Sequence, residues 1–136
     1  MPYVLDASVA LAWLLPDEAS KDADALAARL SDDHAAVPAI WPLEIGNALL
    51  TADRRGRLSR KERERCLEAL IAIPVFVDTS PNLSNLASVV AIAVDHDLSV
   101  YDASYLFLAK ERALPLATID QRMRKACVAL RIPVVP

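Results

Sequence analysis

The strongest constraint on the fold is an alternation along the chain. Short apolar runs at 3–5, 35–40, 75–77, 115–118 and 133–135 are separated by longer stretches with helical periodicity. Those stretches lie at 8–15, 17–31, 42–55, 60–72, 83–96, 102–112 and 120–130. Strands that alternate with helices predict a parallel sheet covered on both faces, an α/β/α sandwich. The first run, "YVL", lacks polar alternation, as expected of a strand buried on both sides. Boundary chemistry agrees with this division. Ser59 and Glu62 have capping-box spacing, Gly56 suits the left-handed residue after a helix, and Pro42 suits a first helical position. No repeat, linker or low-complexity tract interrupts the pattern, so residues 1–136 read as one domain.

Composition excludes several classes. The chain is 54% apolar, enough to build a core rather than remain disordered. With only two glycines, Gly46 and Gly56, it has no phosphate-binding glycine loop of Walker or Rossmann type. Cys66 and Cys127 form no CxxC pair, so a zinc knuckle or a thioredoxin-type site is unsupported and two reduced, buried thiols are expected. No basic leader precedes the first strand, and the longest uncharged stretch, 79–94, is too short and polar to span a membrane. A cytoplasmic protein without a membrane partner is expected. The net charge of −3 neither supports nor excludes a nucleic-acid partner.

Three aspartates sit where strands give way to helices. Asp6 follows the first apolar run, Asp102 follows "LSVY" and Asp120 follows "PLAT". Ligands of an open α/β sheet bind beyond the carboxyl ends of its strands, so these acids can share one edge. Each is also a good helix N-cap, and capping alone accounts for any one of them. Glu44 is harder to explain as a cap. On a helix, Glu44, Asn47, Thr51, Arg54 and Arg55 form a narrow polar line. It runs between an Ile45–Ala48–Leu49–Ala52 stripe and a Leu43–Gly46–Leu50 stripe. That pattern suits a line facing a cleft, although an amphipathic helix with an early acid complementing its dipole has the same residues. Four carboxylates in one pocket repel unless protons or a cation compensate. An all-oxygen donor set selects Mg²⁺ or Mn²⁺ over zinc. Ser8 and Thr118, each two residues from an acid, could orient a carboxylate or simply bond the local backbone.

These residues carry a family resemblance. The stretches "VLDASV" (4–9), "PAIWPLEIGNAL" (38–49), "LSVYDASYLFLA" (98–109) and "LATIDQRM" (116–123) resemble those of PIN-domain ribonucleases, specifically VapC-type toxins of toxin–antitoxin pairs. Their order and spacing cover essentially the whole chain. The resemblance implies a PIN-like fold and a Mg²⁺- or Mn²⁺-dependent endoribonuclease. It implies Asp6, Glu44, Asp102 and Asp120 as the catalytic and metal-binding acids, with Ser8, Asn47 and Thr118 in support. It also implies an RNA substrate, a VapB-type antitoxin, a homodimer, a toxin–antitoxin hetero-oligomer, and operator DNA bound only through the antitoxin.

RNA backbone contacts are expected from the segment 53–65, which holds six arginines and one lysine against three acids. A solvated helix with ion pairs such as Arg60–Glu64 explains the same composition. Arg54 and Arg55 continue the line from Glu44 and are the candidate RNA-binding residues. Arg122, Arg124 and Lys125 follow Asp120 and could flank the cleft or be ordinary exposed charges. His34 and His96 fall outside the matched stretches and receive no catalytic role. A haloacid phosphatase is disfavoured because Ser8 occupies the position of its second aspartate. A receiver domain is disfavoured because Leu5 precedes a lone Asp6. An RNA-processing nuclease and an inactive RNA-binding PIN module remain the alternatives.

Overall fold

A computed structural model describes all residues 1–136. Its five strands are β1 (Val4–Leu5), β2 (Ala35–Pro38), β3 (Val75–Asp78), β4 (Leu116–Ala117) and β5 (Val134–Val135). They form one all-parallel sheet in the order β3-β2-β1-β4-β5. The helices are α1 (Ala7–Leu14), α2 (Lys21–Ala28), α3 (Trp41–Arg54), α4 (Arg60–Ala72), α5 (Leu86–His96), α6 (Val100–Arg112) and α7 (Gln121–Leu130). The first four pack among themselves, α5 and α7 pack on α6, and α6 lies across β1, β2 and β4. The sheet is therefore covered by two helix groups, and Tyr3, Val4 and Leu5 have no exposed surface. That is the environment the unbroken apolar run at 3–5 requires.

The chain winds from β1 outward to β3, then returns to the other side of β1 for β4. Connections from β1 and β4 thus diverge, leaving a crevice beyond their carboxyl ends at this switch point. Asp6 follows β1 and Asp120 follows β4 by three residues, so the topology brings two acids from opposite ends of the sequence to that crevice.

Several expected boundaries shift for local reasons. The helix expected over 17–31 is broken. Pro16–Glu18 makes one 3-10 turn, Ala19 is extended, and Ser20 starts α2 by accepting from the Ala23 amide at 3.4 Å. Pro42 is the second residue of α3 rather than the first, which is harmless because that N–H would have no helical partner. "LSVY" is not extended to its end: Ser99 Oγ accepts from the Asp102 amide at 3.0 Å and starts α6 at Val100. The capping box at Ser59 and Glu62 forms, and Gly56 takes a φ of 76° just after α3. On α3 only one apolar stripe is buried, through Trp41, Ile45, Leu49 and Ala52; Leu43 is 71% exposed. Of the expected second stripe, Leu43 is thus open while Gly46 and Leu50 are half-buried.

Two aspartates are buried, both at the carboxyl end of a strand: Asp6 and Asp78. Asp78, at the end of β3, is neutralised. The Arg112 guanidinium donates to its Oδ2, through Nε at 2.8 Å and also through Nη2, and the Ser80 amide donates to Oδ1 at 2.9 Å. Removing one partner of such a pair leaves the other charge without compensation. Arg112→Ala is expected to destabilise the fold by about 2–4 kcal/mol, and Asp78→Asn by less. Urea denaturation of both variants checks this order.

Candidate active site

Asp6 is fixed by its backbone before its side chain is considered. Its amide donates to the Ala117 carbonyl at 3.0 Å, continuing the β1–β4 pairing one residue beyond β1. Although it occupies the N-cap of α1, its carboxylate caps nothing. Instead Oδ2 accepts from Ser8 Oγ at 2.7 Å and from Thr118 Oγ1 at 2.7 Å. Each hydroxyl has one proton, and each spends it on Asp6. The 3.4 Å approach of the two hydroxyl oxygens is therefore a contact with no proton left to bridge it. Both hydroxyls also accept an amide: Ile119 donates to Ser8 at 3.2 Å, and Asp120 donates to Thr118 at 3.1 Å. The turn after β1 and the turn after β4 are thus stitched together through one carboxylate oxygen. The other oxygen, Oδ1, has no protein donor and is not sealed from solvent.

The remaining acids arrive from three helices. Glu44 lies in the first turn of α3, and its Oε1 accepts from the buried Tyr105 hydroxyl of α6 at 2.8 Å. Asp102 occupies the first turn of α6, three residues before Tyr105 and on the same helix face. Asp120 caps α7 by accepting from the Met123 amide at 3.0 Å. Capping is therefore the structural role of Asp120 alone, and that bond engages only its Oδ1.

The four charges act on one another. Burial raises the Asp6 pKa above the usual carboxylate value, against the Ser8 and Thr118 hydrogen bonds, and the charges of Asp102 and Asp120 raise it further. Burial also raises Glu44, with Tyr105 opposing and Asp6 and Asp102 adding. Burial and then the charge of Asp120 raise Asp102, which the Arg122 guanidinium partly offsets. Burial and the nearby acids drive the Tyr105 phenol far upward, so it remains a proton donor to Glu44. No lysine or arginine forms an ion pair with any of the four. The acids are neighbours without being a closed cage: no three His, Cys, Asp or Glu side chains are arranged to hold a metal ion by themselves.

A PIN-domain model matches residues 3–129. The chain belongs to the PIN-domain family. It is 30% identical over 133 residues to Ribonuclease VapC3 of Pyrobaculum aerophilum, spanning 98% of this chain and all of that protein. It is also 32% identical over 80 residues to Exonuclease VapC9 of the same organism, covering 59% of this chain and 57% of that one. The crystal structure of PAE2754 from Pyrobaculum aerophilum superimposes with a TM-score of 0.71 at 27% identity, covering 93% of this chain and 84% of that one. The all-parallel α/β architecture read from the sequence is therefore that of a PIN domain.

Within this PIN domain the remaining expected site residues fare unequally. Ser8 and Thr118 join the network. Asn47 stays exposed, and its side chain makes no hydrogen bond to Glu44 or to anything else. Arg54 and Arg55 are exposed and free of ion pairs, but lie ten and eleven residues beyond Glu44, about 15 Å along the α3 axis. Much of the basic segment is engaged internally: Arg57 with Asp17 and Glu18, Arg63 with Asp53, and Arg60 with Glu64 at 3.1 Å. His34 is exposed, and His96 is the last residue of α5. Tyr105, which donates to Glu44, is the one network member that sequence reasoning missed. Its signal was present: a polar tip on an otherwise apolar helix face, three residues from Asp102.

The raised acid pKa values fix the sign of a pH effect. The folded state holds its carboxyl protons to higher pH than the unfolded chain does. The network's contribution to stability is therefore fully present below the ordinary carboxylate range. It is lost as pH rises through the raised folded values. Asp6→Asn removes a buried charge while keeping an oxygen for Ser8 and Thr118. At neutral pH without divalent ions it is expected to raise Tm by about 3–8 °C, with the gain vanishing near pH ~4 and below. Calorimetric melts across that range test it.

Proposed function

We propose that this chain is a Mg²⁺- or Mn²⁺-dependent endoribonuclease, acting as the toxin of a VapBC-type pair to inhibit translation or growth. One PIN domain, residues 1–136, would carry the activity. The observation that carries the reading is Asp6. A buried carboxylate at the sheet's switch point is oriented by two hydroxyls, paired with no lysine or arginine, and backed by three more acids. PIN-domain membership and the similarity to Ribonuclease VapC3 supply the nuclease class.

The donor set fits a hard divalent cation. All four candidates offer carboxylate oxygens, and neither histidine nor cysteine supports them. An open arrangement suits Mg²⁺, which keeps several waters and is held by one or two carboxylates together with substrate phosphate. Asp6 would bind through Oδ1, while Glu44, Asp102 and Asp120 would bind directly or through water. The ion would supply activation of water and neutralisation of charge on the phosphate. The protein's own groups do the positioning. Ser8 and Thr118 hold the plane of the Asp6 carboxylate. Tyr105 holds Glu44 from the α6 side. The α7 cap fixes Asp120 through Oδ1 and leaves its second oxygen without a protein donor. Water would add to phosphorus as the P–O3′ bond breaks and the 3′ oxygen takes up a proton, leaving a 5′-phosphate and a 3′-hydroxyl.

Exposed, single-stranded or looped RNA is the fitting substrate class, since its phosphates are open to a site on a sheet edge. A cognate VapB-type antitoxin would neutralise the site. Homodimer and hetero-oligomer assembly, operator DNA bound only through the antitoxin, and a cytoplasmic location complete the proposal. No helix is long and apolar enough to cross a membrane.

Purified chain freed of antitoxin is expected to cut total cellular RNA internally with Mg²⁺ or Mn²⁺, and not with chelator. The fragments are expected to carry 5′-phosphates. Asp6→Asn should reduce cutting to background, and Tyr105→Phe should slow it about 10–100-fold while leaving the fold intact. Cleavage that persists in Asp6→Asn would refute the site. Release of single nucleotides from chain ends would instead favour the exonuclease activity named for VapC9.

A further inference from the structure

The carboxylates explain how an ion could be held, but not how a polyanion is kept in a site that is itself negative. The cations after Asp120 divide into two kinds. Arg124 is committed to structure: its Nη1 donates to the Thr118 carbonyl at 2.8 Å and its Nη2 to the Pro136 carbonyl at 3.0 Å. Arg122 is exposed, and it is anchored at one point only, by Nη2 to the carbonyl of Asp97 at the end of α5. A guanidinium has five N–H donors, so most of this one's capacity faces outward. Lys125, also exposed, follows one turn later on the same face of α7. Both line a cavity of about 370 Å³ between the end of α5 and α7, with Asp95, His96 and Asp97 on its opposite side. None of the four acids lines this cavity; Arg122 connects it to them, standing two residues from Asp120 and near enough to Asp102 for its charge to act there.

We propose that Arg122, with Lys125 one turn behind it, clamps a backbone phosphate of the RNA next to the one being cut. This rests on the ribonuclease reading and adds the residues that seat its substrate. The anchored guanidinium loses little freedom on binding and can offer two parallel N–H groups to phosphate oxygens. Asp95 and Asp97 confine the phosphate to the α7 side of the cavity. Arg54 and Arg55, distant along α3, are not needed for this contact.

The test is binding of a short fluorescein-labelled single-stranded RNA to the Asp6→Asn protein, at fixed Mg²⁺ and varied KCl. Arg122→Gln in that background is expected to weaken binding about tenfold. It should also lower the slope of log affinity against log salt by about 0.7, the value for one lost phosphate contact on a single strand. Adding Lys125→Gln should lower it by about as much again. Lys110→Gln is the control for net charge; it sits about 12 Å along α6 from Asp102 and should leave the slope unchanged. With the acids intact, Arg122→Gln should raise KM more than it lowers kcat. A slope unchanged by Arg122→Gln while the parent binds RNA would overturn the clamp alone. Where the wild-type chain cuts RNA but the Asp6→Asn parent binds none, a KM unchanged by Arg122→Gln in the wild-type background would overturn the clamp; a wild-type chain that cuts no RNA would overturn the ribonuclease reading, and the clamp with it.

Discussion

The site depends on one carboxylate oxygen. Asp6 Oδ2 takes the hydroxyl protons of Ser8 and Thr118, which are 110 residues apart in sequence. The same hydroxyls accept amides from the turn after β4. The crevice between the two central strands is thereby held open at a fixed width and presents Asp6 Oδ1 outward. Asp120 is placed by the same device, since its amide is held by Thr118 while its side chain caps α7. Glu44 is held from the far side by Tyr105, which rises from the helix that carries Asp102. Asp6, Glu44 and Asp120 are therefore each held by a side-chain hydrogen bond, whereas Asp102 is placed by its backbone alone, through the Ser99 cap of α6.

The contrast between the two buried aspartates shows what the fold does with charge when it seeks only stability. Asp78 ends β3 and is closed off by Arg112 and the Ser80 amide. Asp6 ends β1 and receives only neutral hydroxyls, while neighbouring acids raise its pKa. A purely structural acid would be better served by the first arrangement. Maintaining the second costs stability at neutral pH, and such tension is characteristic of sites built for a cation or a polar reaction. The apolar strand beneath Asp6 and the fully buried Val9 and Ala10 of α1 let the fold sustain it.

Much of this was legible in the sequence, for identifiable reasons. The unbroken apolar run at 3–5 and the alternation of strand and helix patterns reflect burial on two faces, which residue type records directly. Asp6 and Asp120 stood out because they follow strands at the sheet's switch point, whereas Glu44 and Asp102 sit in the first turns of helices and were joined to the other two by the family resemblance. What escaped was set by side-chain geometry. The break at Ser20 and the start of α6 at Ser99 depend on single caps that override periodicity. Leu43 looked like part of a packed stripe, but periodicity does not say whether an element lies over it. Asn47 shares a face with Glu44 yet bonds nothing, whereas Tyr105 reads as core and its hydroxyl holds Glu44. The same limit applies to the arginines. Composition marked 53–65 as basic, but only the fold reveals that Arg57, Arg60 and Arg63 are engaged with nearby acids.

A divalent ion held by the four acids would displace protons, and that release is the quantity to measure. Carboxyls with raised pKa values must give up protons to bind a cation, so uptake and release are coupled. Calorimetric titration with Mn²⁺ in two buffers of different ionisation enthalpy counts those protons. Saturable binding is expected, with net proton release that grows as pH falls from 7 toward the raised acid values, and both should be lost in Asp6→Asn. Binding without proton release, or binding of equal strength in Asp6→Asn, would contradict a divalent-ion site at these acids.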